Sequence, residues 1–196
     1  MMNYYLSDTH FNHFKIIEYC NRPFSNADKM NKYMIHQWNS TVKCDDVVYF
    51  AGDFAWVHND NELNDLINKL SGYKHFILGN HDNRKMFRKV STMNDKIVGL
   101  SYTVALMDMD KHVLLHHEPL DDWFEKDKGS IHLHGHIHNT PCDTLENRYN
   151  ISAEVLNYTP MTLEEVISES EEEKDLVEIP KYVWAISSIK DFFRGA

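Results

Sequence analysis

Cysteine is scarce in this chain of 196 residues: Cys20, Cys44 and Cys142, an odd number with no C-x-x-C spacing. That speaks against a disulfide framework and reads as reduced thiols of a cytosolic protein. Glycine and proline are also few, seven and five, and no low-complexity linker or composition shift marks a second domain. No apolar run approaches the length of a membrane span. The first six residues enter a strand pattern with no basic region ahead of an apolar stretch, so no export leader is expected and the sequons at Asn39 and Asn157 carry no weight. Basic residues are in deficit, 20 Lys and Arg against 30 Asp and Glu, for a net charge of −10. Such a balance argues against a protein that lives on nucleic acid. The argument is weaker at any point where bound divalent ions add local positive charge.

What is present suits a globular chain with one sizeable core: 42% apolar and 26% charged residues. A single domain over 1–196 is expected, with 170–196 set apart as a C-terminal extension. Residues 3–7 read as a strand, and 26–42 as a helix with Met30, Met34 and Trp38 four apart and Ser25 or Asn26 as its cap. The run 47–51 suits a strand buried on both faces. A helix follows, with Leu63, Leu66, Ile67 and Leu70 on one stripe and Gly72 past its end. Residues 75–78 form the next strand. This alternation predicts a parallel α/β sheet with helical crossovers, whose ligands gather at the carboxyl ends of strands. Further on, 97–107 and 112–116 predict hairpin strands around a turn at 108–111. Strands follow at 130–134 and 148–152. Thr162 and Glu165 have capping-box spacing ahead of a helix whose acidic run, 169–175, reads as a solvated end.

Metal-binding residue types stand at the ends of these runs: Asp8 and His10, Gly52-Asp53, Gly79-Asn80-His81-Asp82, His116-His117, and Gly135-His136-Ile137-His138. Each alone is weak, since polar strand ends and Gly-Asp turns are common. In series they read as one assembled site of carboxylate, amide and imidazole, suited to a pair of divalent ions open to a phosphate. Asp8 and His10, two apart, can face one side. Gly135 lets the backbone turn, which favours His136 and His138 as ligands and leaves His132 and His134 as strand residues. Adjacent strand residues face opposite sides, so only one of His116 and His117 enters the site, and the residues themselves do not say which. His36, His58, His75 and His112 have no motif context and read as surface or structural histidines.

The ordered set Asp-x-His, Gly-Asp, Gly-Asn-His-Asp, His, Gly-His-x-His resembles the calcineurin-like metallophosphoesterase family, over 8–138. Residues 8–13, Arg22-Pro23-Phe24, Trp38-Asn39 and Gly52-Asp53-Phe54 further resemble a subgroup of small bacterial and phage phosphoesterases. So do 150–160 and the capped helix after them. The resemblance implies a four-layer αββα sandwich of two mixed sheets flanked by helices. It implies that Asp8, His10 and His138 hold one metal, that Asn80, His117 and His136 hold another, and that Asp53 bridges them. His117 is implied over His116 because an x-Pro pair, Glu118-Pro119, follows it.

Two ions roughly 3.5–4 Å apart can bridge a hydroxide and clamp two phosphate oxygens. In that scheme His81 contacts the phosphate or protonates the leaving oxygen, and Asp82 orients its ring. Arg84 lies within reach of a phosphate oxygen or on a helix start. Arg22 and His13 are substrate candidates through the subgroup resemblance alone. The mixed N/O donors suit Mn, Fe, Ni, Co or Zn, and the resemblance implies Mn. The expected activity is hydrolysis of a small phosphodiester or phosphomonoester such as a nucleotide derivative, with a nuclease as the alternative. A non-catalytic scaffold of the same fold predicts a lost ligand or a lost His81, and neither is lost.

Overall fold

The computed structural model describes residues 1–140, 145–175, 189 and 191–193. Cys142 and most of the expected 170–196 extension lie outside them. A first parallel sheet has the order β1 (Asn3–Leu6), β2 (Val47–Ala51), β3 (Tyr73–Ile77), β4 (Ile97–Ser101). A second has the order β5 (Thr103–Asp108), β6 (Lys111–His116), β7 (Ile131–His134), β8 (Arg148–Asn150). There β5 runs antiparallel to β6, while β6, β7 and β8 are parallel. The α/β architecture is thus two four-stranded sheets flanked by helices, α1 (Phe14–Tyr19), α2 (Ala27–Thr41), α3 (Asp60–Asn68), α4 (Arg84–Val90) and α5 (Leu163–Asp175). Among the described residues no helix is long and apolar enough to cross a membrane.

Strand parity divides each sheet into a helix side and a sheet side. In β2 and β3, Phe50 and Phe76 meet Trp38 of α2 and Phe87 of α4, at centroid distances of 6.3 and 5.0 Å. The same face of β3 carries Lys74, fully buried, whose ammonium donates to the carbonyls of Leu70 and Gly72 at 2.5 and 2.7 Å and so closes the end of α3. On the other face Tyr5, Tyr49 and His75 stack in register across three strands. Tyr5 also donates to Asp108 at 2.5 Å, which ties the first sheet to β5 of the second. From the second sheet Val113, Leu115, Ile131 and Leu133 enter the same core.

Three expectations change. The run 97–107 is two strands, β4 and β5, broken at Tyr102 where the chain leaves one sheet for the other. A continuous apolar pattern cannot show a break of one residue. Helix α1 was not expected, since Ile16 is its only buried residue and six residues make no stripe. Of helix α4 the sequence shows only a helix start at Arg84. Local capping follows the sequence more closely. The Asn26 side chain accepts from Lys29 N at 2.9 Å, and Thr162 and Glu165 form a reciprocal capping box. The acidic run lies in α5. Cys20 and Cys44 are free thiols, the first buried and the second exposed.

Candidate metal centre

β1, β2 and β3 are parallel, so their carboxyl ends share one edge of the first sheet; β6 and β7 bring theirs from the second. The chain turns sharply at each end. Asp8, His10, Asp53, His136 and His138 all have positive φ, between 47° and 71°. Non-glycine residues adopt that region rarely, and it costs about 1–3 kcal/mol each where it is forced. Five such residues at one locus mean that the fold holds backbone strain to aim these side chains together. Glycines make the approach possible: a Cβ on Gly79 would run into Asp53, and one on Gly135 into Asp8 and Ser7.

Each carboxylate has one oxygen saturated and the other left facing the cluster. Asp8 Oδ2 accepts from Ser7 Oγ at 2.6 Å, His136 N at 2.9 Å and Ser152 Oγ at 3.0 Å. Asp8 Oδ1 is buried with no hydrogen-bond partner, and so is His10 Nε2, 4.0 Å away. His138 Nε2 lies 4.0 Å from the same Asp8 Oδ1. Asp53 Oδ1 accepts from His81 N at 2.9 Å, while Oδ2 sits 3.6 Å from His10 Nε2 and 3.4 Å from His117 Nε2. Around His117 Nε2 there also lie Asn80 Oδ1 at 2.9 Å and His136 Nδ1 at 3.3 Å. His136 Nδ1 is 3.0 Å from Asn80 Oδ1.

The ring tautomers sharpen this picture. His117 Nδ1 is 2.8 Å from the Ala51 carbonyl, an acceptor, so Nδ1 carries the proton and the neutral ring offers a lone pair at Nε2. That lone pair faces other lone pairs, on Asn80 and Asp53, and the crowding is relieved only by a proton or a cation. Without a cation, the proton takes the place. Burial pulls the His117 imidazolium down, but Asp53, Asp8 and the Ala51 carbonyl outweigh it and hold it at about 9. At His138 burial is likewise outweighed by the Cys20 thiol, Glu154 and Asp8, which hold the ring at about 10. Burial opposes ionisation of Asp53, yet His117 and the His81 N–H bring its carboxyl down to about 2. His10 is pushed down to about 3, by burial and then by Arg22, and stays neutral. Orphaned buried lone pairs on mixed N/O donors 3–4 Å apart are what divalent ions fit.

Strand parity selects between the paired histidines. His117 continues the inward face of Val113 and Leu115 and enters the cluster; His116 points outward to Thr103 Oγ1 and the Tyr102 carbonyl, both at 3.0 Å. His132 and His134 are buried in β7, and burial holds both at about 4. The His81 ring stands exposed at the mouth, edge-on to His10 at 5.7 Å. His13 is half-buried and 5.5 Å from the His10 ring. Arg84 opens α4, exposed, with its guanidinium 5.6 Å over the Tyr102 ring.

Two candidates have partners other than those expected. Arg22 is 4% exposed, and its donors go to Glu154 at 2.8 Å, the Thr9 carbonyl at 2.8 Å and the Asp8 carbonyl at 2.6 Å. It braces the loop after β1 from behind. Asp82 does not orient the His81 ring. Its oxygens accept the backbone N–H groups of Asp53, Phe54 and Gly79 at 2.8–2.9 Å, so it ties the loops after β2 and β3 together.

Glu154 was missed. It accepts from His138 Nδ1 at 3.1 Å and from Arg22, which fixes the ring and leaves Nε2 to the cluster. Burial opposes its ionisation, but Arg22 and His138 bring it down to about 2. Ser7 and Ser152 were missed with it. None has a motif; their work is done through space.

No family model matches the chain. It is 36% identical over 171 residues to an uncharacterized protein of Methanocaldococcus jannaschii, covering 84% of this chain and 88% of that protein. Among solved structures, a protein of unknown function from Aquifex aeolicus aligns with a TM-score of 0.68 at 25% identity, over 85% of this chain and 98% of that one. A phosphoesterase from E. coli aligns more distantly, with a TM-score of 0.38 at 11% identity, over 83% of this chain and 82% of that one.

Proposed function

We propose, from the resemblance of its ordered motifs to the calcineurin-like metallophosphoesterases and from the geometry of the cluster, that the chain is a metal-dependent hydrolase of a small phosphodiester or phosphomonoester, such as a nucleotide derivative. The carrying observation is the convergence of Asp8 Oδ1 and His10 Nε2, both buried with no hydrogen-bond partner, with Asp53 Oδ2, which lies 3.6 Å from His10 Nε2 and 3.4 Å from His117 Nε2. In this reading Asp8, His10 and His138 hold one divalent ion, Asn80, His117 and His136 a second, and Asp53 lies between. Manganese is the proposed metal, with Fe, Ni, Co and Zn compatible with the same donors. Such ions supply charge stabilisation for the phosphoryl group and activation of a water.

The chain's own groups do the rest. The His81 N–H fixes Asp53 so that its second oxygen stays on the cluster. The His81 ring, at the open side, donates a proton to the leaving oxygen or a hydrogen bond to the phosphate. Glu154 and the Ala51 carbonyl each hold a ring proton at Nδ1, of His138 and His117, which directs Nε2 inward. The test is turnover of a generic small phosphodiester with Mn, its loss on chelation and its recovery on reloading. Undiminished turnover after complete metal removal would refute the reading.

A pH dependence follows from the same geometry. At pH 7 the metal-free rings of His117 and His138, held at about 9 and about 10, are both protonated. A ligand nitrogen must be neutral, so loading displaces these protons, and raising the pH toward 9 tightens binding. Each displaced proton changes apparent affinity by about tenfold per pH unit. Calorimetry in buffers of different ionisation enthalpy reads the release directly; loading without proton release would contradict the assignment of both rings.

A further inference from the structure

The loops after β1 and β2 carry more than ligands. Three residues beyond His10 and three beyond Asp53 they bring up His13 and Trp56, whose rings stack at 4.8 Å with an interplanar angle of 16°. Tyr19 of α1 meets His13 edge-on at 6.4 Å. The backbone beneath is pinned: Phe11 N donates to the Phe54 carbonyl at 2.9 Å, and Trp56 N to the Phe11 carbonyl at 2.7 Å. His13 in turn lies 5.5 Å from the ligand candidate His10. Burial, with His81 and Arg22 nearby, keeps His13 toward its neutral form.

These rings are not core. Trp56 is 49% exposed and Tyr19 68% exposed. Large exposed rings grouped beside a polar cluster mark a binding surface more often than a packing accident. His13 occupies one side of the indole and fixes its plane, so the open side is preorganised for a flat partner at little entropic cost. A phosphate at the ligand cluster and a flat ring on the indole, one imidazole further out, are the two ends of one nucleotide.

We propose that Trp56, seated on His13, is a specificity residue that stacks the base of a nucleoside phosphate whose phosphoryl group lies at the metal centre. The proposal rests on the hydrolase reading for the phosphate end and adds the base end. A base offers a π-face that a bare sugar phosphate lacks, and any base will serve, since stacking is tolerant of sequence.

The test compares the non-hydrolysable methylenephosphonate analogues of adenosine 5′-monophosphate and ribose 5-phosphate, which differ only in the base, by calorimetric affinity for the Mn-loaded protein, where their P–C bond prevents turnover. The nucleotide is expected to bind about tenfold more tightly. Trp56→Ala should remove that difference without changing the ribose 5-phosphate affinity, and Trp56→Phe should keep most of it. Equal affinities in the unmodified protein, no measurable nucleotide binding, or the same loss for both ligands in Trp56→Ala would overturn the proposal. Metal-dependent turnover is measured separately, so a missing base preference leaves the hydrolase reading standing, and missing turnover leaves the shelf standing.

Discussion

Asp53→Asn is expected to lose metal and activity together, with turnover falling on the order of 10³-fold. The size follows from where the two oxygens go. One is held by the His81 N–H at 2.9 Å, and the other faces both His10 and His117. An amide in that position must set its NH2 against one of these. Turned toward His81, it opposes N–H to N–H. Turned toward the histidines, it presents donors where a cation would lie, and it has lost the negative charge that offsets two ions. Elemental analysis of the variant should show reduced occupancy, with the fold kept by circular dichroism. Full metal content with full activity would remove Asp53 from the centre of the scheme.

The second large effect is expected at His81, with a different signature. Its ring is exposed at the mouth and bonds no ligand atom; only its backbone N–H supports Asp53. That N–H survives in His81→Ala, so both ions should be retained. General acid help is worth about 10²–10⁴-fold. Turnover of an ester with a poor leaving group should fall by that factor, and an activated aryl ester, which needs no proton, should suffer less. Loss of a metal ion in the variant would make His81 a ligand. Equal losses on both esters would leave it a phosphate-positioning group.

The same contrast explains what could be read from the residues in order. Asp8, His10, Asp53, Asn80 and the His136–His138 pair were legible because each follows a run whose apolar pattern ends where a strand ends. The choice of His117 over His116 follows from period two along β6, once Leu115 is known to face inward. Support through space leaves no such trace. Glu154 reaches His138 across 16 positions, and Ser152 reaches Asp8 across 144. The partners of Arg22 are hidden for a related reason. A guanidinium near a phosphate site and one that braces loop carbonyls look alike in sequence, and only burial separates them. Asp82 was likewise adjacent to His81 in the chain but turned toward the Asp53 and Phe54 backbone. The β4–β5 break at Tyr102 was hidden because both strands are apolar.

The central claim is that these seven side chains, Asp8, His10, Asp53, Asn80, His117, His136 and His138, form one centre for two divalent ions. Its most direct test is the number of ions bound. Metal-free protein, titrated with Mn and followed by elemental analysis after equilibrium dialysis, is expected to take up two ions per chain, with phosphodiester turnover appearing as they load. Saturation with no bound ion, or full turnover reached with none, would contradict it.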